Sequence, residues 1–166
     1  MFRRRIPLFL CGLALIAGCS SGRAGSPAVV AITADQVRSL AARPGAKATL
    51  VNVWATWCAP CREEFPGLLE VGKKRRADGL RLVLVSADFE DQTAAVRKFL
   101  RARGVADTAY IISGDPMAFI NRLNPKWTGA LPATFVYNSR GELDQFWEGA
   151  AGESRFNESV DRAMAQ

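Results

Sequence analysis

Two cysteines, Cys58 and Cys61, are separated by two residues in the stretch Trp57-Cys58-Ala59-Pro60-Cys61. The residues from Thr49 to Trp54 before them are apolar and β-prone, and from Ala59 the composition becomes typical of a helix. The pair is therefore predicted to lie where a strand passes into the first turn of a helix. Free backbone N–H groups and the helix dipole stabilise an anion at such a place. We expect Cys58 to benefit most, because the thiolate is the reactive form of cysteine.

Cysteines with this spacing can act as attacking and resolving thiols, lock a structural disulfide, or provide half of a zinc site. A zinc site needs two more ligands, but the chain has no histidine, and its other cysteines, Cys11 and Cys19, lie in an apparent leader. The lack of histidine also excludes a Cys-His pair, a serine triad and a Cys-x-x-Cys-His haem site. A redox-active dithiol is therefore favoured over an inert disulfide, and no metal or cofactor is expected.

The Trp57–Cys61 stretch after an apolar strand resembles the thioredoxin superfamily, and most of all the TlpA/ResA/DsbE-type thiol-disulfide reductases of the bacterial envelope. Pro66 and the segment Gly-Ala-Leu-Pro-Ala-Thr-Phe at 129–135 add to the resemblance, whereas Ala59 stands where thioredoxins have glycine. The resemblance implies thiol-disulfide exchange with disulfide-containing envelope proteins, such as apocytochrome c. It also implies a membrane electron donor of thiol-disulfide type.

Further site residues follow from this resemblance. Pro132 corresponds to a cis-proline that faces the cysteine pair, Leu131 would offer its backbone to the substrate, and Trp57 would join it in substrate binding. A purely structural role for Pro132 is also open, because proline is tolerated at the first residue of a strand. Pro132 and Leu131 are therefore assigned to the site by the resemblance alone.

Two polar residues near the cysteines depart from thioredoxin. Glu64, three residues after Cys61, corresponds to a glutamate of the envelope reductases. If it is partly buried beside the two sulfurs, its carboxyl group would have a raised pKa and could act as an acid or a base. The alternative is an ordinary first-turn glutamate favoured by the helix dipole. Asn52 replaces the buried aspartate of thioredoxin and cannot titrate, so we expect its amide to satisfy backbone groups beneath the helix.

The amino-terminal region has the pattern of a lipoprotein signal peptide. Three arginines precede the apolar run Ile6–Ala17, and Leu15-Ile16-Ala17-Gly18-Cys19 resembles a lipoprotein box. We predict a signal peptide over residues 1–18, a lipidated Cys19, a flexible tether over 19–28 and a thioredoxin-like domain over 29–166, on the periplasmic side of a bacterial membrane. An ordinary signal peptide is the alternative. Loss of the three arginines lowers the formal charge from +6 to +3, so the charge gives nucleic acid binding little support.

Strand-helix alternation followed by a hairpin predicts the fold class, an α/β thioredoxin-like fold. It has a central mixed β-sheet flanked by helices and ends in a β-hairpin and a helix. The predicted strands are Val29–Ile32, Thr49–Trp54, Leu80–Ser86, Ala109–Ser113, Ala133–Tyr137 and Leu143–Trp147. The first predicted helix opens at the Thr33–Gln36 capping box, and the second runs over Ala59–Ala77 with a kink at Pro66. The third runs over Asp91–Arg103, the fourth is a short helix over Met117, Ile120 and Leu123, and the last runs over Ser154–Ala165.

The function predicted is reduction of envelope disulfides: Cys58 attacks, a mixed disulfide forms, and Cys61 resolves it. Ala59 and Pro60 offer the thiolate no charge and no hydrogen-bonding side chain, so we expect a reducing potential below roughly −200 mV. A thiol oxidase and a lipid-anchored binding module with a structural disulfide are the alternatives. A peroxiredoxin is disfavoured, because no Pro-x-x-x-Thr-x-x-Cys pattern leads into Cys58.

Overall fold

The computed structural model describes residues 25–166. The predicted signal peptide, Cys19 and most of the predicted tether lie outside the described residues. Within residues 25–166, no helix combines the length and the apolar composition needed to cross a bilayer.

Six strands form one mixed sheet in the order β1-β4-β3-β2-β5-β6. β1, β4, β3 and β2 are parallel neighbours, β5 is antiparallel to β2, and β6 is antiparallel to β5. The predicted fold class is therefore confirmed. The strand bounds are β1 Val29–Ile32, β2 Ala48–Trp54, β3 Leu80–Ser86, β4 Ala109–Ile112, β5 Ala133–Asn138 and β6 Leu143–Glu148.

Five α-helices cover the two faces of the sheet in the described part of the chain, α1 and α4 on one face and α2, α3 and α5 on the other. The capping box at the start of α1 is confirmed, since the Thr33 and Gln36 side chains each accept the other's backbone N–H. The helix bounds are α1 Ala34–Ala41, α2 Ala59–Arg75, α3 Thr93–Ala102, α4 Pro116–Leu123 and α5 Glu153–Met164.

One helix prediction needs correction. The helix expected over Asp91–Arg103 is divided into a 3₁₀ turn, Glu90–Gln92, and α3, because the chain must first turn away from the end of β3. The helix expected over Met117, Ile120 and Leu123 is present as α4, in which Met117 is 58% exposed. Phe119 and Leu123, four residues apart on one face, are the residues that α4 buries.

Contacts beneath the carboxyl end of β2 fix the position of α2. All seven residues of β2 are buried, as expected of a central strand covered on both faces. Trp54 at its end packs against Phe65 of α2 and Phe99 of α3, with ring centroids 4.9 and 4.6 Å away. Further along α2, Gly72 allows close approach to β3, since a Cβ there would lie 2.5 Å from the Leu82 side chain. The amino end of α2 is therefore held beside the end of β2.

Candidate active site

The two cysteines meet at the start of α2, as predicted. Cys58 is the N-cap residue with extended backbone (φ −80°, ψ 107°), and Cys61 lies in the first turn. Their sulfurs form a disulfide, and the Cys58 sulfur also accepts a hydrogen bond from the Cys61 backbone N–H at 3.2 Å. The helix therefore directs one of its free N–H groups at the first sulfur. Cys58 is 5% exposed and Cys61 is fully buried, so Cys58 is the member of the pair that keeps some contact with solvent.

A buried carboxylate, Asp88, holds the loop that leads into Cys58. Asp88 is 2% exposed and follows β3. Its carboxylate accepts hydrogen bonds from the Thr56 backbone N–H at 2.9 Å, the Thr56 hydroxyl at 2.5 Å and the Ser86 hydroxyl at 2.6 Å. The loop is thus fixed two residues before Cys58, and Trp57 projects from it with 65% exposure.

The sequence analysis missed Asp88. The signal was present, because Asp88 follows the carboxyl end of a predicted strand, as the cysteine pair does. Side chains at the carboxyl ends of neighbouring parallel strands lie at the same edge of a sheet. The pairing of β2 with β3, which the sequence does not state, brings Asp88 to Thr56.

A second buried carboxylate, Glu64, lies on α2 one turn beyond Cys61. Glu64 is 6% exposed and lies beyond the first turn, so it is not the ordinary first-turn glutamate given as the alternative. Its carboxylate oxygens accept hydrogen bonds from the Asn52 amide at 2.9 Å and from the Ala151 backbone N–H at 2.8 Å. Burial raises the pKa of the Glu64 carboxyl above its ordinary value, and these two hydrogen bonds lower it by less. Glu64 is thus a buried titratable group on the same helix as Cys61, three residues further on.

The Asn52 amide has partners other than those expected. It donates to Glu64 and to the Thr134 hydroxyl of β5 at 3.1 Å, rather than to backbone groups. The reason is that its side chain points toward α2, where Glu64 needs a donor. The Asn52 Oδ1 atom is buried without a hydrogen-bond partner among the described residues. If the amide turns over, this oxygen can accept a hydrogen bond from the O–H of the Glu64 carboxylic acid.

Pro132 and Leu131 reach the same edge of the sheet from β5. The Leu131–Pro132 peptide bond is cis, and Pro132 is buried with its carbonyl accepting the Gly149 N–H at 2.8 Å. Antiparallel pairing of Ala133 with Val53 sets this turn beside the end of β2. Leu131 and Trp57 line one cavity of ≈ 430 Å³, together with Phe89, Ile120 and Trp127 among others.

The structure thus brings together every described residue that the sequence analysis assigned to the site. Cys58, Cys61 and Glu64 share the first turns of α2, with Pro132, Leu131 and Trp57 around them. Cys19 lies outside the described residues. Within residues 25–166, no three Cys, Asp, Glu or His side chains are grouped as a metal ion would require.

Comparison with known proteins gives a consistent result. A sequence model of the AhpC/TSA family matches residues 27–146. The thiol:disulfide interchange protein DsbE homolog of Paracoccus denitrificans is 34% identical over 125 residues, which are 75% of this chain and 60% of that protein. The thiol-disulfide oxidoreductase ResA of Bacillus subtilis is 28% identical over 115 residues, 69% of this chain and 60% of that protein.

Solved structures give the same fold. A thiol:disulfide interchange protein of the thioredoxin family from Chlorobium tepidum superposes with a TM-score of 0.62 at 25% identity, covering 84% of this chain and 95% of that one. The predicted resemblance to DsbE- and ResA-type proteins is confirmed. The chain spans only 60% of the length of these two sequence relatives.

We expect Asp88→Ala to lower the free energy of unfolding by about 2–3 kcal/mol, because it leaves the half-buried Thr56 N–H and two hydroxyls without their carboxyl acceptor. Asp88→Asn should restore most of this loss, since an amide oxygen can accept the N–H and an amide nitrogen can donate to the Thr56 hydroxyl. Urea unfolding of the oxidised protein measures both. The matched control is Asp91→Ala, at an exposed acid three residues on. Equal effects of the two alanine substitutions would contradict the role given to Asp88.

Proposed function

The chain belongs to the AhpC/TSA family, and on this premise we propose that it is a thiol-disulfide oxidoreductase that reduces disulfides in partner proteins of the bacterial envelope. The observation that carries the proposal is the Cys58–Cys61 disulfide at the start of α2, in which Cys58 keeps some solvent exposure and Cys61 has none. The similarity to a thiol:disulfide interchange protein and to a thiol-disulfide oxidoreductase supports it.

The proposed reaction begins from the dithiol form. The Cys58 thiolate, stabilised by the helix amino end, attacks a disulfide of the partner, and one partner sulfur leaves as a thiolate that takes up a proton. Cys61 then loses its proton and attacks the Cys58 sulfur, which releases the second partner thiol. Two electrons have passed to the partner, and the disulfide seen between Cys58 and Cys61 remains. A membrane protein of thiol-disulfide type would return the two electrons.

Glu64 is proposed to take the proton of Cys61. Residues three apart on a helix lie on one face, so Glu64 and Cys61 are neighbours on α2. The raised pKa of Glu64 makes its carboxylate a stronger base than an exposed glutamate. Asn52 supports both forms of this group, since its amide nitrogen donates to the carboxylate and its free oxygen can accept from the acid.

The partner is proposed to bind along the turn before β5. Leu131 offers backbone groups next to the buried cis Pro132, and the exposed Trp57 provides an apolar contact on the other side of Cys58. The cavity between Trp57 and Leu131 can hold a side chain of the partner next to its cysteine. An apocytochrome c is one partner that fits this proposal.

The proposed location is the periplasmic side of a bacterial membrane, with residues 1–18 removed and a lipid on Cys19. The motif Ile16-Ala17-Gly18-Cys19 motivates it. We expect Cys19→Ser to release the protein from the membrane fraction or to block its processing, because the modified thiol is lost. Fractionation of cells followed by immunoblotting measures this, with Cys11→Ser as the control. Unchanged membrane association of the Cys19 variant would contradict the anchor.

Cys61→Ala tests the function directly. With the resolving thiol removed, we expect Cys58 to accumulate mixed disulfides with partner proteins, which nonreducing gels and mass spectrometry identify. Cys58→Ala is the matched control and should trap none, because Cys61 is buried. Equal trapping by the two variants would reject Cys58 as the nucleophile.

The direction of electron flow is measured on the same protein by equilibration against glutathione. A potential below roughly −200 mV is expected, toward the value of thioredoxin near −270 mV. A potential near that of the oxidant DsbA, about −120 mV, would show that the protein acts as a thiol oxidase and not as a reductase.

Glu64→Gln should shift the pH dependence of disulfide reduction. The folded-state pKa of Glu64 lies above its unfolded value, so its ionisation costs the fold stability as the pH rises from near 4.5 through the folded pKa. The stability of the Gln variant relative to the wild type should therefore increase between pH 4 and pH 8, as urea unfolding at each pH will measure. Glu63→Gln, at the exposed neighbour, should change neither the pH dependence of disulfide reduction nor that of the stability. A pH profile unaffected by Glu64→Gln would leave that residue a structural role only.

A further inference from the structure

Charged side chains are divided unevenly between the two ends of the sheet. We name one of them the amino end, because the parallel strands begin there. It also contains the second halves of α1, α2, α3 and α5 with the loops that follow them. The β5–β6 turn and the start of β6 complete it. In residues 25–166 the amino end carries thirteen Lys and Arg against six Asp and Glu. The opposite end, which carries Cys58, has five Lys and Arg against ten Asp and Glu.

Six of the thirteen cations at the amino end are free to bind a partner. All six acids there are already in ion pairs, for example Asp78 and Asp161 with Arg75, and Asp107 with Arg76. Other cations at this end are exposed and make no ion pair or side-chain hydrogen bond with the described residues. These are Arg38, Arg43, Lys47, Lys73, Lys98 and Arg101.

Helix dipoles explain only part of this excess. The carboxyl ends of four helices lie at the amino end, and cations near such ends are favourable. Each helix carboxyl end is equivalent to about half a negative charge, so the four ends together would balance roughly two cations. The excess of cations over acids at this end is several times larger, and half of the unpaired cations lie on loops or near helix middles rather than in a last turn.

The chain enters the domain at the same end. β1 is parallel to the other three strands of its half of the sheet, so residues 25–28, which lead into it, reach the domain at the amino end. Ten residues separate Val29 from Cys19, a reach of at most ~36 Å when fully extended. A lipid on Cys19 would therefore keep this positive end close to a bilayer. The dithiol follows the far end of β2, a strand of seven residues and about 23 Å.

We propose that the amino end of the sheet docks on anionic lipid headgroups, so that the dithiol end faces away from the membrane. Exposed cations near a membrane surface are attracted to anionic lipids, and such attraction adds to the binding by an acyl anchor. The entry of the chain at this end favours a lipid surface over an acidic protein or a nucleic acid. The docking does not depend on the redox activity and is tested separately from it.

Lysine labelling of the full-length protein, purified from its membrane, tests the docking. The protein is reconstituted in vesicles of phosphatidylcholine alone or mixed with phosphatidylglycerol, and an amine-reactive ester is followed residue by residue by mass spectrometry. Lys47, Lys73 and Lys98 should react at least about threefold more slowly on the anionic vesicles, and added salt should remove the difference. Lys126, exposed at the opposite end, is the internal control and should react equally on both.

A paired substitution separates docking from anchoring. Lys73→Glu with Arg101→Glu should remove the protection of Lys47 and Lys98, whereas Lys126→Glu should leave it intact. Neither change should alter the rate at which the dissolved protein reduces insulin. Labelling that is the same on both vesicles, or that slows equally at Lys126, would overturn the proposal. Protection by polyglutamate but not by vesicles would also overturn it and assign the surface to an acidic protein.

Discussion

The hydrogen bond from the Cys61 N–H to the Cys58 sulfur is the interaction on which the site depends. It places the first sulfur at the positive end of α2, where a thiolate gains stability from the unpaired N–H groups of the helix. It exists only if the strand before Cys58 and the helix after it keep their mutual position. Much of the surrounding structure serves that requirement, from the buried length of β2 to the contact of Gly72 with Leu82.

Two buried carboxylates flank this junction and differ in what surrounds them. Asp88 has three donors, two from Thr56 and one from Ser86, and these bonds hold the loop. Glu64 has two donors, and one of them, Asn52, carries a free oxygen on the same amide. A carboxylate that accepts three hydrogen bonds is suited to hold its neighbours in place. A buried carboxylate with fewer donors and a partner that can turn over is suited to gain and lose a proton.

The parallel half of the sheet separates two surfaces by the length of a strand. Parallel strands align all their carboxyl ends on one side, so the dithiol, Asp88 and the turn before β5 come to one edge. The same rule gathers the helix carboxyl ends and the chain entry at the other edge. A redox surface and a positively charged surface can therefore coexist on a small domain without competing for area.

Local patterns in the sequence were enough to predict much of the architecture. The strand before Cys58, the Thr33–Gln36 capping box and the carboxyl-terminal β-hairpin each depend on residues close together in the chain, and each prediction is confirmed. Pro132 was expected to be cis only through a family resemblance, because the base rate for such bonds is low. Local patterns alone were thus enough to place the cysteine pair between a strand and a helix.

What only the tertiary structure decided concerns groups whose partners are distant in the chain. Glu64 is buried because residues 52 and 151 close over it, and no local pattern separates it from its exposed neighbour Glu63. Asn52 bonds to a side chain instead of the backbone, and Asp88 joins the site, through strand pairings that the sequence does not state. Met117 is exposed because the packing of α4 against α1 selects another of its faces. Hydrophobic periodicity predicts that an element forms, but the burial and protonation of a polar side chain depend on which elements pack against it.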